Sequence, residues 1–424
     1  MNLKQFLIQF IKNKGGYVTL SIILGKLISF LISLIVIRLL TKPEYGLITY
    51  SSTIVSLAVP LMGFGAFQGL MRYGAKLTGY RKKLQLFNYG LVRGSIFSLL
   101  FILIFIFSSG YITRSLPEAR DYFIILSFQI FSLFLLEYVK SFYRLLHRNK
   151  AYSLLEIGYQ ILLLTSAVLA TLFFDGIGFV TAMTLIPFLI AFSVIIKRKW
   201  LNFKEIKFNL SIKPVEFWRY SILVSLGALA SQLLFVLDII MLGNMLKNAQ
   251  LVAIYKAASL IPLSLRFVPY MFITTDYLKF TENETNIDYL KQYSRNYSKL
   301  FIPISIFNVL FFLFASDYLV LLFGKGYQNS AFLMKIFGFA ITASFIFRIP
   351  YGNILTATRW ANINAYNSIF ALLLNFILNY FFIKNWQLEG AAIATTITMW
   401  VSGLLTFLFF ILYLKKISRS PSNY

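Results

Sequence analysis

Twelve apolar stretches follow one another along the chain, near residues 17–40, 47–71, 86–107, 120–146, 151–174, 177–196, 217–243, 250–275, 297–315, 331–356, 361–383 and 388–414. At about 1.5 Å per residue, a helix of about 20 residues crosses the roughly 30 Å hydrocarbon core of a bilayer. The expected fold class is therefore an all-α membrane protein with twelve transmembrane helices. The composition requires the same, with 58% hydrophobic and 13% charged residues and a mean hydropathy of +0.74. Only the triplet Phe174-Asp175-Gly176 separates the fifth stretch from the sixth, so the boundary there is the least defined. The first stretch is too long for a cleaved leader and lacks a small-residue cleavage site, and is expected to remain as a span. Ahead of it, Leu3, Phe6, Leu7 and Phe10 fall at helical spacing, which predicts an interfacial helix over 2–14.

The formal charge of +25 raises nucleic acid as a partner, but the basic residues punctuate apolar segments and form no patch on a polar domain. Membrane topology accounts for them instead, and no nucleic acid is expected. With the N-terminus inside, the inner segments carry 26 Lys and Arg and the outer connections 6, which predicts cytoplasmic N- and C-termini. There is no Cys, which excludes disulfides, thiolate metal sites and thiol catalysis, and a single His, His147, leaves no basis for a histidine metal site or a triad. No metal and no catalytic residue is expected.

The longest polar interruptions, 197–216 and 276–296, both fall on the inner side, and the first divides the spans into six and six. The expected organisation is an N-terminal lobe over 1–196, a cytoplasmic linker over 197–216 and a C-terminal lobe over 217–424. Internal similarity supports a repeat. Phe174-Asp175-Gly176-Ile177-Gly178-Phe179-Val180-Thr181 resembles Leu388-Glu389-Gly390-Ala391-Ala392-Ile393-Ala394-Thr395, and Pro43-Glu44-Tyr45-Gly46-Leu47-Ile48 parallels the stretch from Ala249 to Tyr255. With six spans each, both halves start on the same side, so the repeat is parallel, and sites of such proteins lie between the halves.

Eight bases lie within spans: Lys26, Arg38, Arg93, Arg219, Lys256, Arg266, Lys335 and Arg348. A lysine or arginine at the bilayer centre costs about 2.5–3.5 kcal/mol on insertion scales and by default faces protein or a water-filled cavity. Arg38, Arg219 and Lys335 lie near span ends, where they reach the headgroups. Lys26, Arg93, Lys256, Arg266 and Arg348 are deeper and are the expected substrate-binding bases. On a helical wheel Lys26 shares a stripe with Ser21, Gly25, Ser29 and Ser33. Span seven carries a similar stripe of Ser221, Ser225, Ser231, Gln232 and Asp238. Such small residues either line a polar cavity or let helices pack closely. Few acids are available to pair with the bases: Glu137 is expected to pair with Lys140 or Arg144, and Glu156 lies near the inner end of span five. Asp238 remains, as a structural partner of a cavity base or as a coupling-ion candidate. A cavity with excess positive charge at low dielectric favours an anion, and arginine matches phosphate with a planar fork, so phosphate or pyrophosphate is the natural headgroup.

Three stretches carry a resemblance to a known family: Arg38 to Ile48, Asp238 to Gly243 with Val252 to Ala258, and Asn375 to Tyr380 running into Glu389 to Thr395. By these the whole chain resembles the polysaccharide-transporter branch of the multidrug/oligosaccharidyl-lipid/polysaccharide exporter superfamily, the bacterial flippases of lipid-linked O-antigen or capsular oligosaccharides. The resemblance implies two six-helix lobes in a V, alternating access, and an undecaprenyl-pyrophosphate-linked oligosaccharide moved between leaflets of the bacterial inner membrane. It also implies membrane lipids, and polymerase or chain-length proteins, as partners, and coupling to a Na+ or H+ gradient without a bound cofactor. One departure is Ala253, where the family usually has Gly. A cation-coupled multidrug exporter is the nearest alternative, though the drug-exporter branch usually uses acids in the first lobe and spans one to three hold none. A membrane-embedded polymerase or glycosyltransferase would need acids or metal ligands on a large outer loop, and the longest outer connections hold few carboxylates.

Overall fold

The computed structural model describes residues 16–201 and 213–419. The interfacial helix expected over 2–14 and most of the 197–216 linker lie outside the described residues. Every regular element among those described is helical. In order they are α1 (Gly16–Leu39), α2 (Lys42–Ala58), α3 (Ala66–Gly74), α4 (Tyr80–Ile112), α5 (Arg120–Ser127), α6 (Gln129–Leu145), α7 (Asn149–Lys197) and α8 (Pro214–Leu246). They continue as α9 (Ala249–Ser264), α10 (Phe267–Thr275), α11 (Tyr277–Glu282), α12 (Ile287–Leu319), α13 (Ser330–Ala343), α14 (Ile349–Ala357) and α15 (Ala361–Arg419).

Among the described residues nine helices are long and apolar enough to cross a membrane, or ten if α8, bent by 56° between Leu234 and Val236, is counted as one span. Counted as continuous helices the number is not twelve. The difference lies in α7 and α15, each of which holds two of the expected apolar stretches. Both are interrupted halfway, at Phe174 (φ −136°, ψ 19°) and Asp175 (φ 49°, ψ −140°) in α7, and at Trp386 (φ −130°, ψ 16°) and Gln387 (φ 46°, ψ −119°) in α15. A Cβ on Gly178 would fall on the carbonyl oxygen of Ala170, and one on Gly390 on that of Phe382. Residues eight apart on a straight helix are about 12 Å apart, so the chain doubles back at each break.

These two breaks correct the register of the repeat. The Asp-Gly and Glu-Gly pairs suggest an offset of 214, whereas the matching dihedrals and the matching close approaches of Gly178 and Gly390 put it at 212. The chain needs a left-handed residue and a glycine three positions later, and the identity of the left-handed residue is free. The start of the repeat is also visible in the backbone. Thr41 caps α2 by accepting from the amide of Glu44, and Asn248 accepts from the amides of Gln250 and Leu251 at the start of α9.

The helices pack into two compact units, Gly15–Ala253 and Ile254–Tyr424. In the first, an aromatic cluster anchors α4 and α6, with Phe87 4.4 Å from Phe142 and Trp200 4.8 Å from Phe142 by ring centroids. In the second, Tyr297 stacks on Phe301 at 4.3 Å and Tyr351 on Phe410 at 4.8 Å, within a core that also holds Phe345 and Tyr413. Outward-facing positions are apolar instead of polar, as in Phe107 at 87% and Phe314 at 71% exposure. A protein with this pattern is solvated by lipid, and the chain is a multi-pass membrane protein.

Candidate functional site

The small-residue stripes are the first elements of the expected site, and both are used for close packing. On α1, Gly25 lies against Glu156 and Gln160 of α7, and Ser29 donates to Gln160 Oε1 at 3.1 Å. On α8, the Ser225 and Ser221 side chains sit against Gly65 and Gly69, where a Cβ would overlap their oxygens, and Gln232 donates to Ser56 at 3.3 Å. Lys26 is different from its stripe. It is exposed and makes no hydrogen bond or ion pair among the described residues. Arg93 on α4 is also exposed, with its guanidinium 4.9 Å over the ring of Tyr89, whose hydroxyl accepts from the Trp218 indole at 3.0 Å. Asp238 is buried on α8 at 7% exposure.

The acid beside α1, Glu156, belongs to a buried charge cluster around Lys140. The 26 inner bases include Lys140 together with Arg144, Arg148 and Lys150, yet Lys140 lies inside α6 and is buried at 7% exposure. Its Nζ is 2.5 Å from Glu137 Oε1 and 2.6 Å from Glu156 Oε2 on α7. Gln160 donates to Glu156 Oε1 at 3.2 Å and so extends the network to Ser29. The pairing of Glu137 with Lys140 is as expected from i,i+3 spacing. The second carboxylate was not legible, because it arrives from another helix. Lys335 likewise does not simply reach the headgroups, but pairs with Asp317 at 2.8 Å.

The second unit brings two of the expected bases together. Arg266, at the junction of α9 and α10, lies within electrostatic reach of Arg348, which ends a π-helical turn over Ser344–Arg348. Lys256 sits on α9, partly buried. Among the described residues Arg348 is held by neutral groups alone: Nη1 donates to Asn364 Oδ1 at 2.8 Å and Nη2 to Ser368 Oγ at 2.7 Å. Asn364 is itself oriented, donating its amide to Gly352 O at 3.1 Å and Thr356 Oγ1 at 2.8 Å, so its carbonyl must face the guanidinium. Ser368 donates to Asn364 O at 3.0 Å, which leaves its oxygen free to accept. No carboxylate among the described residues pairs with Arg348. The fork is therefore fixed in direction while its charge stays uncompensated, the condition for attracting an anion in a low-dielectric setting. The polar residues that fix it, Asn364 and Ser368, were missed in the sequence; their i,i+4 spacing at the start of α15 is the only signal they leave.

Among the described residues no group of three or more His, Asp or Glu side chains is placed to hold a metal ion.

With this geometry in view, comparison with known proteins gives three findings. The family model described as "Polysaccharide biosynthesis protein" matches residues 11–274. No curated protein matches the sequence. Among solved structures, the chain is similar to the lipid II flippase MurJ in an inward closed conformation, with TM-score 0.72 at 15% identity, covering 95% of this chain and 90% of that one. It is also similar to an inward-facing multidrug resistance MATE family transporter of the MOP superfamily, with TM-score 0.70 at 16% identity over 93% and 96% of the two chains. A third likeness is to a MOP superfamily transporter from Pyrococcus furiosus, with TM-score 0.61 at 16% identity over 95% of each chain. At these identities the structural matches speak for the fold, while the family model covers more than half of the sequence. The chain belongs to the polysaccharide biosynthesis protein family.

Proposed function

We propose that this protein is a flippase that moves an undecaprenyl-pyrophosphate-linked oligosaccharide from the cytoplasmic to the outer leaflet of a bacterial inner membrane by alternating access. In this reading the repeat halves 1–196 and 217–424 are the moving lobes, both termini are cytoplasmic, and a polymerase or chain-length protein takes the product. The observation that carries it is the Arg266 and Arg348 pair, with the Arg348 fork held by Asn364 and Ser368 and left without a carboxylate. A pyrophosphate supplies the missing negative charge, and the oriented fork gives it a bidentate partner. Lys256, Lys26 and Arg93 are proposed as further bases on the path. The same positive charge disfavours the cationic drugs that a multidrug exporter of this superfamily would carry.

The test is Arg348→Ala in a strain that depends on this protein for its surface polysaccharide, at matched membrane levels. The expected result is at least a tenfold loss of polymer, with Arg348→Lys intermediate because it keeps the charge and loses the fork. Polymer output unchanged in Arg348→Ala, and also in Arg266→Ala and Lys26→Ala, would sink the proposal.

Energy coupling rests on Asp238, the buried acid of α8, as the candidate for a Na+ or H+. Asp238→Asn is expected to abolish the dependence of transport on an imposed gradient in proteoliposomes. A variant whose gradient dependence survives removes Asp238 from the coupling.

A further inference from the structure

At the end of α4 remote from the basic 72–83 connection, a cleft of about 520 Å³ is lined by Tyr111, Ile112, Arg114, Ser115, Asn244 and Lys247. Its polar groups converge as donors. Arg114 stacks 4.7 Å over the Tyr111 ring, which leaves the edges of the guanidinium open. Buried Tyr50 donates from its hydroxyl to Asn244 Oδ1 at 2.8 Å, so the carbonyl end of that amide is engaged and its NH2 end is the one available to a ligand. Lys247 follows Asn244 across the end of α8 in the left-handed conformation at φ 50°. Neither Arg114 nor Lys247 pairs with a carboxylate among the described residues, and Glu118 lines only an adjoining hollow that shares Ser115 and Lys247.

Charge and shape together select the ligand. The cleft lies at the C-terminal ends of α4 and α8, whose carbonyls contribute about half a negative charge each. Two bases against these ends leave about one net positive charge, which suits a phosphate monoanion such as a phosphodiester. Below the cleft, α4 presents Leu100, Ile104, Phe107 and Tyr111 as one exposed stripe at i, i+4, i+7 and i+11, with Phe107 at 87% exposure. A headgroup held at Arg114 and Lys247 would lay its tail along that stripe.

We infer that this cleft, on the face opposite the basic connections, binds a membrane lipid through its phosphate, with the exposed stripe of α4 receiving the tail. The inference goes beyond the transport reading and does not depend on it. It assigns Arg114, Lys247 and Asn244 as headgroup ligands and Tyr50 as the residue that positions Asn244.

The experiment is native mass spectrometry of the purified full chain carrying phosphatidylglycerol, with phosphatidylcholine and inorganic phosphate as comparison ligands. Wild-type protein should retain phosphatidylglycerol over phosphatidylcholine, and Arg114→Gln/Lys247→Gln should lower its retention at least tenfold. Tyr50→Phe should lower retention a few-fold without removing any charge. Arg81→Gln/Lys82→Gln, which removes the same charge at the other end of α4, should leave it unchanged. Arg114→Lys/Lys247→Arg, monodisperse and with retention preserved, would show that the loss is not misfolding. Equal retention in wild type and the double glutamine variant overturns the inference, as does an equal drop in the Arg81/Lys82 control. Displacement of the lipid by millimolar inorganic phosphate would make the cleft a free-anion site and overturns the lipid assignment.

Discussion

Replacing Lys140 with Met is expected to cost about 3–5 kcal/mol of stability, the typical penalty for removing one partner of a buried ion pair. Lys140 is buried at 7% exposure between Glu137 at 2.5 Å and Glu156 at 2.6 Å, so its loss leaves two carboxylates facing each other without a base. Desolvation makes that arrangement worse than the absence of all three charges. The thermal unfolding midpoint of Lys140→Met in detergent should therefore fall sharply, and adding Glu156→Gln should recover a large part of the loss by removing one of the stranded charges. Glu156→Gln alone should cost less, because Glu137 still neutralises Lys140 and Gln160 and Ser29 can bond to an amide. A double variant no more stable than Lys140→Met would mean that the two residues do not act on each other.

The cluster also shows why the sequence reveals some of this site and hides the rest. Hydropathy is a local property, so the apolar stretches, the break at Phe174-Asp175-Gly176 and the repeat itself are legible one residue after another. Pairings between helices are not. The sequence places Lys140 near the end of the fourth apolar stretch but does not tell whether it reaches outward or is buried, since that depends on Glu156 arriving from α7. Correcting its place moves one base from the inner segments to the spans and leaves the 26-to-6 asymmetry essentially as it was. The stripes of Ser and Gly on α1 and α8, which the sequence leaves open between cavity lining and close packing, show the same limit. A helical wheel shows which side chains share a face, but the partner decides whether that face meets water or a neighbour, and here Glu156, Gly65 and Gly69 are the partners. The bases were easier to pick out because charge within an apolar stretch is conspicuous. Their neutral holders, Asn364 and Ser368, sit at the start of α15, where polar residues attract no notice.

The largest effect outside the polar networks is expected at the two hairpin glycines. At Gly178 and Gly390 an added Cβ would occupy the position of a backbone carbonyl oxygen, from Ala170 and Phe382 respectively. Backbone atoms in a helix cannot step aside as a flexible side chain can, so even alanine forces the hairpin apart, and valine adds two more carbons to the clash. Each hairpin also contains a non-glycine residue at positive φ, Asp175 or Gln387, so the turn has no slack in its dihedrals with which to absorb the displacement. Gly178→Val and Gly390→Val should each abolish monodisperse protein on size exclusion, and Gly178→Ala and Gly390→Ala should lower the unfolding midpoint strongly. Gly158 and Gly227, where a Cβ would meet nothing within 4 Å, serve as controls, and alanine there should be neutral or stabilising. If the four alanine variants behave alike, the chain does not double back closely at residues 174–178 and 386–390. The repeat offset of 212 would then lose its structural basis.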